Sequence, residues 1–402
     1  MPRRSPRYVR SSMPVEQVWL CNWLFFIRRP VRDGYTECGH FAIMSVMSQG
    51  SNRLQSLDAL RGFDMLWIMG LAGVVMAVCQ LFPGGADSWL YGQLRHAKGI
   101  GFTFYDLIFP LFLFMAGVSW PFSYASQVRR GISPARIHLR ILKRVLLLAA
   151  VQMLQSGILW FDPAHYFYPS VLIRIALSWA MAALVYMWCP RKVGVAVAVL
   201  GVLGYWALLA FVPSPLLPAG QPFDYADWTT SHVAWANRYL SFRAWFGRDP
   251  FEVMDIPLSI VQIPLALCGM FAGDILRREA WTPARRAGAL AVVGAVLTVA
   301  GLLFVAAGCP LSKQLSTASF MALTGGLCCL LLALFFYVID VRGLVAWSRP
   351  LQVIGQNSII AYLLPALVCF FPACPVVAAV GKLAFCWLVL WLLARAKVFV
   401  KV

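Results

Sequence analysis

From residue 62 onward the chain keeps returning to apolar runs of about twenty residues, separated by short polar connections. An α-helix rises 1.5 Å per residue, so about twenty apolar residues cross a hydrocarbon core of about 30 Å. Ten such runs are read here, at 62–82, 103–124, 141–160, 170–189, 193–212, 254–276, 287–307, 316–340, 351–371 and 376–394. None shows the short alternation of a membrane barrel. The expected fold class is all-α, a polytopic transmembrane helix bundle of about ten spans, or eleven. Composition agrees, since the chain is 61% hydrophobic and 12% charged, half the charge of an ordinary soluble domain.

Residues 1–50 do not match the rest of the chain. "MPRRSPRYVRSS" is basic and polar, and "VWLCNWLFFI" is too short to span a bilayer and lacks a small-residue cleavage site. The segment reads as an over-long gene start, with the working chain beginning at Met44 or Met47, or alternatively as a signal anchor. Residues 51–402 read as a single transmembrane domain.

A net charge of +18 suggests nucleic acid at first sight, but the basic residues are scattered through short loops and no aromatic-interleaved basic domain exists. Topology accounts for them better. Arg129, Arg130, Arg136, Arg140, Lys143 and Arg144 follow the second run, and Arg191 and Lys192 follow the fourth. Arg277, Arg278, Arg285 and Arg286 follow the sixth, Arg342 and Arg349 the eighth, and Arg395, Lys397 and Lys401 the tenth. With ten spans all of these fall on one side, which the positive-inside rule makes cytoplasmic. Both termini are then cytoplasmic and the loop carrying His96 faces outward. The partner implied is the lipid bilayer, with no nucleic acid. Whether the chain forms a homo-oligomer stays open.

A charged side chain at membrane depth costs roughly 2.5 to 3.5 kcal/mol on insertion scales and so asks for a partner. Asp58, Arg61 and Asp64 open the first run, and Asp58 and Arg61, three apart, share a helix face where they can pair. Asp106 lies just inside the second run, ten residues after His96. Either the loop folds back so that carboxylate and imidazole meet, or Asp106 caps the second helix. Arg174 sits near the outer end of the fourth run, where it snorkels or reaches an anion. Asn357, with Ser358 beside it and Tyr362 further along, opens the ninth run as a polar pair of the kind that joins helices. Arg95 and Lys98 flank His96, and Lys313 lies in a later outer loop.

The other histidines carry less. His40 is in the leader, His138 in a basic loop, and His165 and His232 in outer loops with no adjacent intramembrane acid. No histidine pair has metal-ligand spacing, and no H-E-x-x-H, G-x-S-x-G or P-loop occurs, so no metal is implied. The eleven cysteines mostly lie inside the apolar runs without paired spacing and read as small apolar fillers.

"RLQSLDALRGFDML" followed by "LRHAKGIGFTFYDLIFPLFLFMAGVS" resembles the heparan-alpha-glucosaminide N-acetyltransferase family, and the likeness continues in "LIRIALSWAMAALVY", "PLSKQLSTASFMALTGG" and "GQNSIIAY". It covers nearly the whole chain from Arg53. The resemblance implies an acetyl-CoA-dependent transferase that moves an acetyl group from cytoplasmic acetyl-CoA, as co-substrate, to the amine of glucosamine or a terminal glucosaminide. It makes His96 the active-site histidine, with Asp106 the acid that follows it, and implies the cytoplasmic membrane of a bacterium. Two departures bear on the acceptor more than on the donor. Ala72 stands where the lysosomal enzymes carry asparagine, and their P-x-N-K-x-L-W-T reads here as Pro310, Ser312, Lys313, Leu315, Ser316 and Thr317. Neutral imidazole can deprotonate an acceptor or take the acetyl group itself, and Arg95, Lys98 or Lys313 can neutralise a developing oxyanion. The alternatives are an O-acyltransferase for an exported polysaccharide and a transporter of sugars or sugar conjugates. Intramembrane charge and the prolines Pro110, Pro257 and Pro264 would also suit a transporter.

Overall fold

The computed structural model describes residues 54–156, 171–218, 220–240, 256–368 and 374–400. The reading of residues 1–50, and those of His40 and His165, fall outside them. All regular structure among the described residues is helical. In chain order, leaving aside the five-residue helix Trp89–Gln93 and short 3-10 turns, the helices are α1 Gln55–Cys79, α2 Phe104–Arg129, α3 Pro134–Ser156, α4 Val171–Trp188, α5 Arg191–Phe211 and the short α6 His232–Leu240. They continue with α7 Ile256–Leu276, α8 Pro283–Ala306, α9 Ala318–Val341, α10 Arg349–Gln356, α11 Ser358–Leu367 and α12 Pro375–Arg395.

Eight of these, α1, α2, α4, α5, α7, α8, α9 and α12, are long and apolar enough to cross a membrane, which makes this a membrane protein. The expected count of ten is not reached among the described residues, for two local reasons. Helix α3 carries Arg140, Lys143 and Arg144 and runs up to the edge of the described region. The ninth expected span is divided between α10 and α11, because Asn357 leaves helical geometry with φ −125° and ψ 45°.

The bundle sorts by burial. Helices α2 and α9 are mostly enclosed, whereas α5, α8 and α12 turn most of their side chains outward, as lipid-facing helices do. Close helix packing depends on glycine. A Cβ on Gly62 of α1 would collide with the Leu351 carbonyl of α10, and one on Gly269 of α7 would collide with the Phe114 carbonyl of α2. One apolar cluster joins α1, α2, α7 and α9 through Leu60, Leu111, Phe114, Leu276, Leu332 and Phe336. A second joins α2, α3, α4 and α7 through Leu113, Trp120, Ile141, Trp179 and Met270. Helix α1 changes to a π-helical turn at Trp67–Leu71, where Gly70 takes φ 141°. The chain therefore kinks just beyond Met65 and Ile68, which face a cavity.

Candidate functional site

The site starts with how α2 begins. Thr103 is extended, and a reciprocal capping box links its side chain to the Asp106 backbone and the Asp106 side chain to the Thr103 backbone. Asp106 Oδ2 accepts from Thr103 N at 3.2 Å and from Ala97 N at 3.1 Å. The Thr103 hydroxyl lies 2.7 Å from the Arg95 carbonyl and 3.0 Å from Asp106 Oδ2. Gln93 Oε1 accepts from Phe104 N at 2.9 Å. These bonds fold the loop back on the helix start, so that His96 Nδ1 stands 2.9 Å from Asp106 Oδ1. Both readings of Asp106 hold together: it caps the helix and it meets the imidazole.

The loop between α8 and α9 supplies the third member. Gly101, at φ 131°, donates its N–H to the Leu311 carbonyl at 2.8 Å and joins the two loops. Thr317 at the end of the α8–α9 loop and Ser319 in the first turn of α9 each donate a hydroxyl to the Pro310 carbonyl at 2.9 Å. The Tyr205 hydroxyl donates to the Leu315 carbonyl, and Gln262 Nε2 donates to the Ser316 hydroxyl, each at 2.8 Å. So held, Lys313 places Nζ 3.3 Å from Asp106 Oδ1. The same nitrogen is 2.8 Å from His96 Nδ1 and 3.3 Å from Nε2. A group in line with one ring lone pair would lie far from the other nitrogen, so the ammonium sits beside the ring and occupies neither lone pair. The in-line partner of Nδ1 is Asp106. A proton shared there assigns Nδ1–H to the carboxylate and leaves Nε2 as the base. Burial pushes the Lys313 ammonium down to about 8 even though the Asp106 carboxylate pulls the other way.

Asp106 is fully buried while the His96 side chain is 53% exposed. The imidazole stands at the mouth of a cavity of about 210 Å³ that is also lined by Met65, Ile68, Phe109, Phe112, Lys313 and Tyr362. Tyr105 packs on the His96 ring, with centroids 4.9 Å apart.

The remaining sequence-predicted residues scatter. Arg95 and Lys98 are exposed, and the Arg95 guanidinium lies over the Tyr91 ring. Arg174 is 2% exposed and sits 4.4 Å over the ring of Phe109 in the cavity wall, with Nε and Nη2 unbonded. Asp58 and Arg61 pair at 3.5 Å, as their spacing predicts, nearer the start of α1 than the cavity. Asn357 is buried and ties down the chain beyond α12, donating to the Val398 carbonyl at 3.1 Å and accepting from Val400 N at 2.9 Å. It joins a helix break to the C-terminal segment, where helix-to-helix bonding was expected. His138 stacks on Trp188, and His232 is partly buried at the start of α6. Sequence reasoning passed over Trp120, Trp179 and the inward turn of Arg144, which contact one another through the Trp179 ring.

Fold and site together define a polytopic helical membrane protein whose internal cavity opens on a histidine braced by a buried carboxylate and a lysine. No protein-family model matches the chain. Among curated proteins, the heparan-alpha-glucosaminide N-acetyltransferase of Mus musculus is 25% identical over 376 residues, covering 78% of this chain and 53% of the relative. The Homo sapiens protein of the same name is 25% identical over 368 residues, covering 77% and 52%. The chain is thus a distant relative of the heparan-alpha-glucosaminide N-acetyltransferases, as its motifs suggest, and it spans about half the length of the curated relatives it matches.

Proposed function

We propose that this protein is an integral-membrane acyltransferase that moves an acetyl group from acetyl-CoA to the amine of glucosamine or of a terminal glucosaminide. The observation that carries this reading is the 2.9 Å contact between His96 Nδ1 and the buried Asp106 carboxylate at a cavity mouth. The likeness to two proteins named for acetyl transfer to a glucosaminide supports it.

A thioester is already activated, so the enzyme has only to raise the nucleophilicity of the acceptor and steady the charge that develops. The acceptor nitrogen attacks the thioester carbonyl carbon and passes a proton to His96 Nε2. The C–N bond forms, the C–S bond breaks, and the departing thiolate takes up a proton to leave as free thiol. Asp106 fixes the ring orientation and favours the imidazolium that forms. The Lys313 ammonium, beside the ring, faces the oxyanion of the tetrahedral intermediate. In this reading the protein lies in a bacterial cytoplasmic membrane with both termini inside and His96 toward the outer side.

The test is transfer by purified protein in nanodiscs, following thiol release from acetyl-CoA and the acetylated product with glucosamine and with hydroxyl acceptors. Turnover with the amine, lost in His96→Ala, is the expected result. An undiminished rate in His96→Ala, or transfer confined to hydroxyls, would overturn it.

A further inference from the structure

The stretch of the bundle away from His96 holds a second group of polar side chains that the acetyl-transfer chemistry does not use. Arg61 of α1 donates to the Ser119 hydroxyl of α2. The neighbouring Trp120 meets Trp179 of α4 edge to face, with centroids 5.2 Å apart. The Arg144 guanidinium of α3 lies 4.0 Å over that Trp179 ring. Four helices thus bring two guanidinium groups and two indoles into one chain of contacts. The indole nitrogens of Trp120 and Trp179 and Nε of Arg144 are all buried N–H donors with no acceptor. Trp120 and Trp179 are 4% and 2% exposed.

The acidic residues nearby do not cancel this. Asp58 is engaged with Arg61 at 3.5 Å. Asp64, three residues beyond Arg61, is fully buried with neither carboxylate oxygen hydrogen-bonded, so it gives nothing to Arg144. A buried N–H without an acceptor carries its full desolvation penalty, so several in one cluster signal an acceptor that arrives with a ligand. A tetrahedral oxyanion, with several acceptor oxygens and negative charge, fits guanidinium and indole donors together.

The cluster shares its helix faces with the cavity. Arg61, Met65 and Ile68 follow one face of α1; Ser119, Phe112 and Ile108 one face of α2; and Trp179, Ile175 and Leu172 one face of α4. Seven residues of helix separate the ends of the α1 and α4 series, about 10 Å. On α3, Leu148 packs with the cavity-lining residues Leu172 and Tyr362, and Gln155, two turns beyond, carries a buried carbonyl oxygen without a donor. Positive charge continues outward from Arg144. Arg140, one turn back along α3, donates to Gln127 of α2 at 2.9 Å, next to the basic connection between those helices.

We infer that Arg144 and Arg61, with the indoles of Trp120 and Trp179, form an oxyanion site for a phosphate of the acyl donor. The arm that carries the thioester then runs along the shared helix faces to His96. This rests on the acyltransferase reading proposed for the His96 site. It assigns the donor to the Arg144 end of the bundle and leaves the His96 mouth to the acceptor.

The experiment uses the full chain in nanodiscs, with acetyl-CoA compared against S-acetylpantetheine, which keeps the thioester and arm but has no phosphate. In Arg144→Gln the ratio of kcat/KM for acetyl-CoA to that for S-acetylpantetheine should fall at least tenfold, through KM for acetyl-CoA, and Arg144→Lys should recover most of it. By calorimetry, free CoA should bind wild type at least tenfold more tightly than Arg144→Gln. Equal loss with both donors, or CoA binding unchanged by Arg144→Gln, overturns the inference. Discrimination that appears only when phosphatidylglycerol replaces phosphatidylcholine in the nanodisc also overturns it, because the phosphate then belongs to a lipid. If wild type turns over neither donor, the acyltransferase reading fails, and CoA against pantetheine in the calorimeter still decides the phosphate site.

Discussion

The two polar clusters of this bundle are built on opposite hydrogen-bonding balances. At the His96 end, Asp106 is buried and its oxygens face His96, Lys313 and two backbone N–H groups. At the Arg144 end, donors outnumber acceptors and three of them have no partner. The first arrangement is complete without a ligand and holds its histidine in one orientation. The second is completed only by something that brings oxygen atoms. In the proposed reading, a preorganised reacting group stands at the cavity, and a site left open for an anion lies further along the same helices, as a transferase with a long, charged donor needs.

If the balanced cluster is the reacting one, its loss should be the most severe. His96→Ala is expected to lower kcat by about 10² to 10⁴, measured as thiol release at saturating acetyl-CoA, and a normal rate there would dissolve the distinction between the two ends. Asp106→Asn keeps the shape but offers an amide where a carboxylate held Nδ1–H. A fall of about 10² in kcat, with little change in KM for acetyl-CoA, is expected from steady-state kinetics.

Lys313 sharpens the comparison through pH. It is charged below about 8 and neutral above, so the oxyanion loses its facing charge as pH rises and the rate should fall through that value. Lys313→Met should lower kcat about tenfold and flatten this limb in a pH–rate profile; an unchanged limb would assign it to another group. Stability moves the other way. The pKa is depressed from 10.5, so the unfolded chain binds more protons between about 8 and 10.5, and the Lys313 contribution to stability improves as pH rises through that interval. The smallest effect is expected from Thr103→Ala. Loss of the capping hydroxyl should cost about 1 kcal/mol, read as a lowered Tm, with kcat reduced only as far as the loop loosens around His96.

Much of this is legible in the amino-acid sequence. Apolar runs of spanning length mark the helices because the bilayer imposes one length scale, and the ten-residue spacing of His96 and Asp106 is short enough for a loop to close. The break at Asn357 is not legible, since the run around it stays apolar and the departure is in the backbone. Lys313 is a candidate from sequence, but its position beside His96 depends on a loop more than two hundred residues away. Arg144 is hidden by a sound rule. It belongs to a basic stretch that positive-inside topology explains, and nothing in its neighbours distinguishes a guanidinium turned into the bundle from those in water. Trp120 and Trp179 are hidden in the same way, as two aromatics in a chain with 16 tryptophans.

The uneven exposure of the His96–Asp106 pair has a consequence for proton traffic. The acid is sealed, yet more than half of the imidazole surface meets the medium. A proton taken from an acceptor can therefore leave the ring straight into bulk water, without a relay of side chains to carry it through the bilayer. In the proposed reaction the departing thiolate takes up one proton for each one a neutral acceptor amine gives, so solvent at the exposed face of the ring only exchanges protons with the imidazole and no net charge has to cross the bundle.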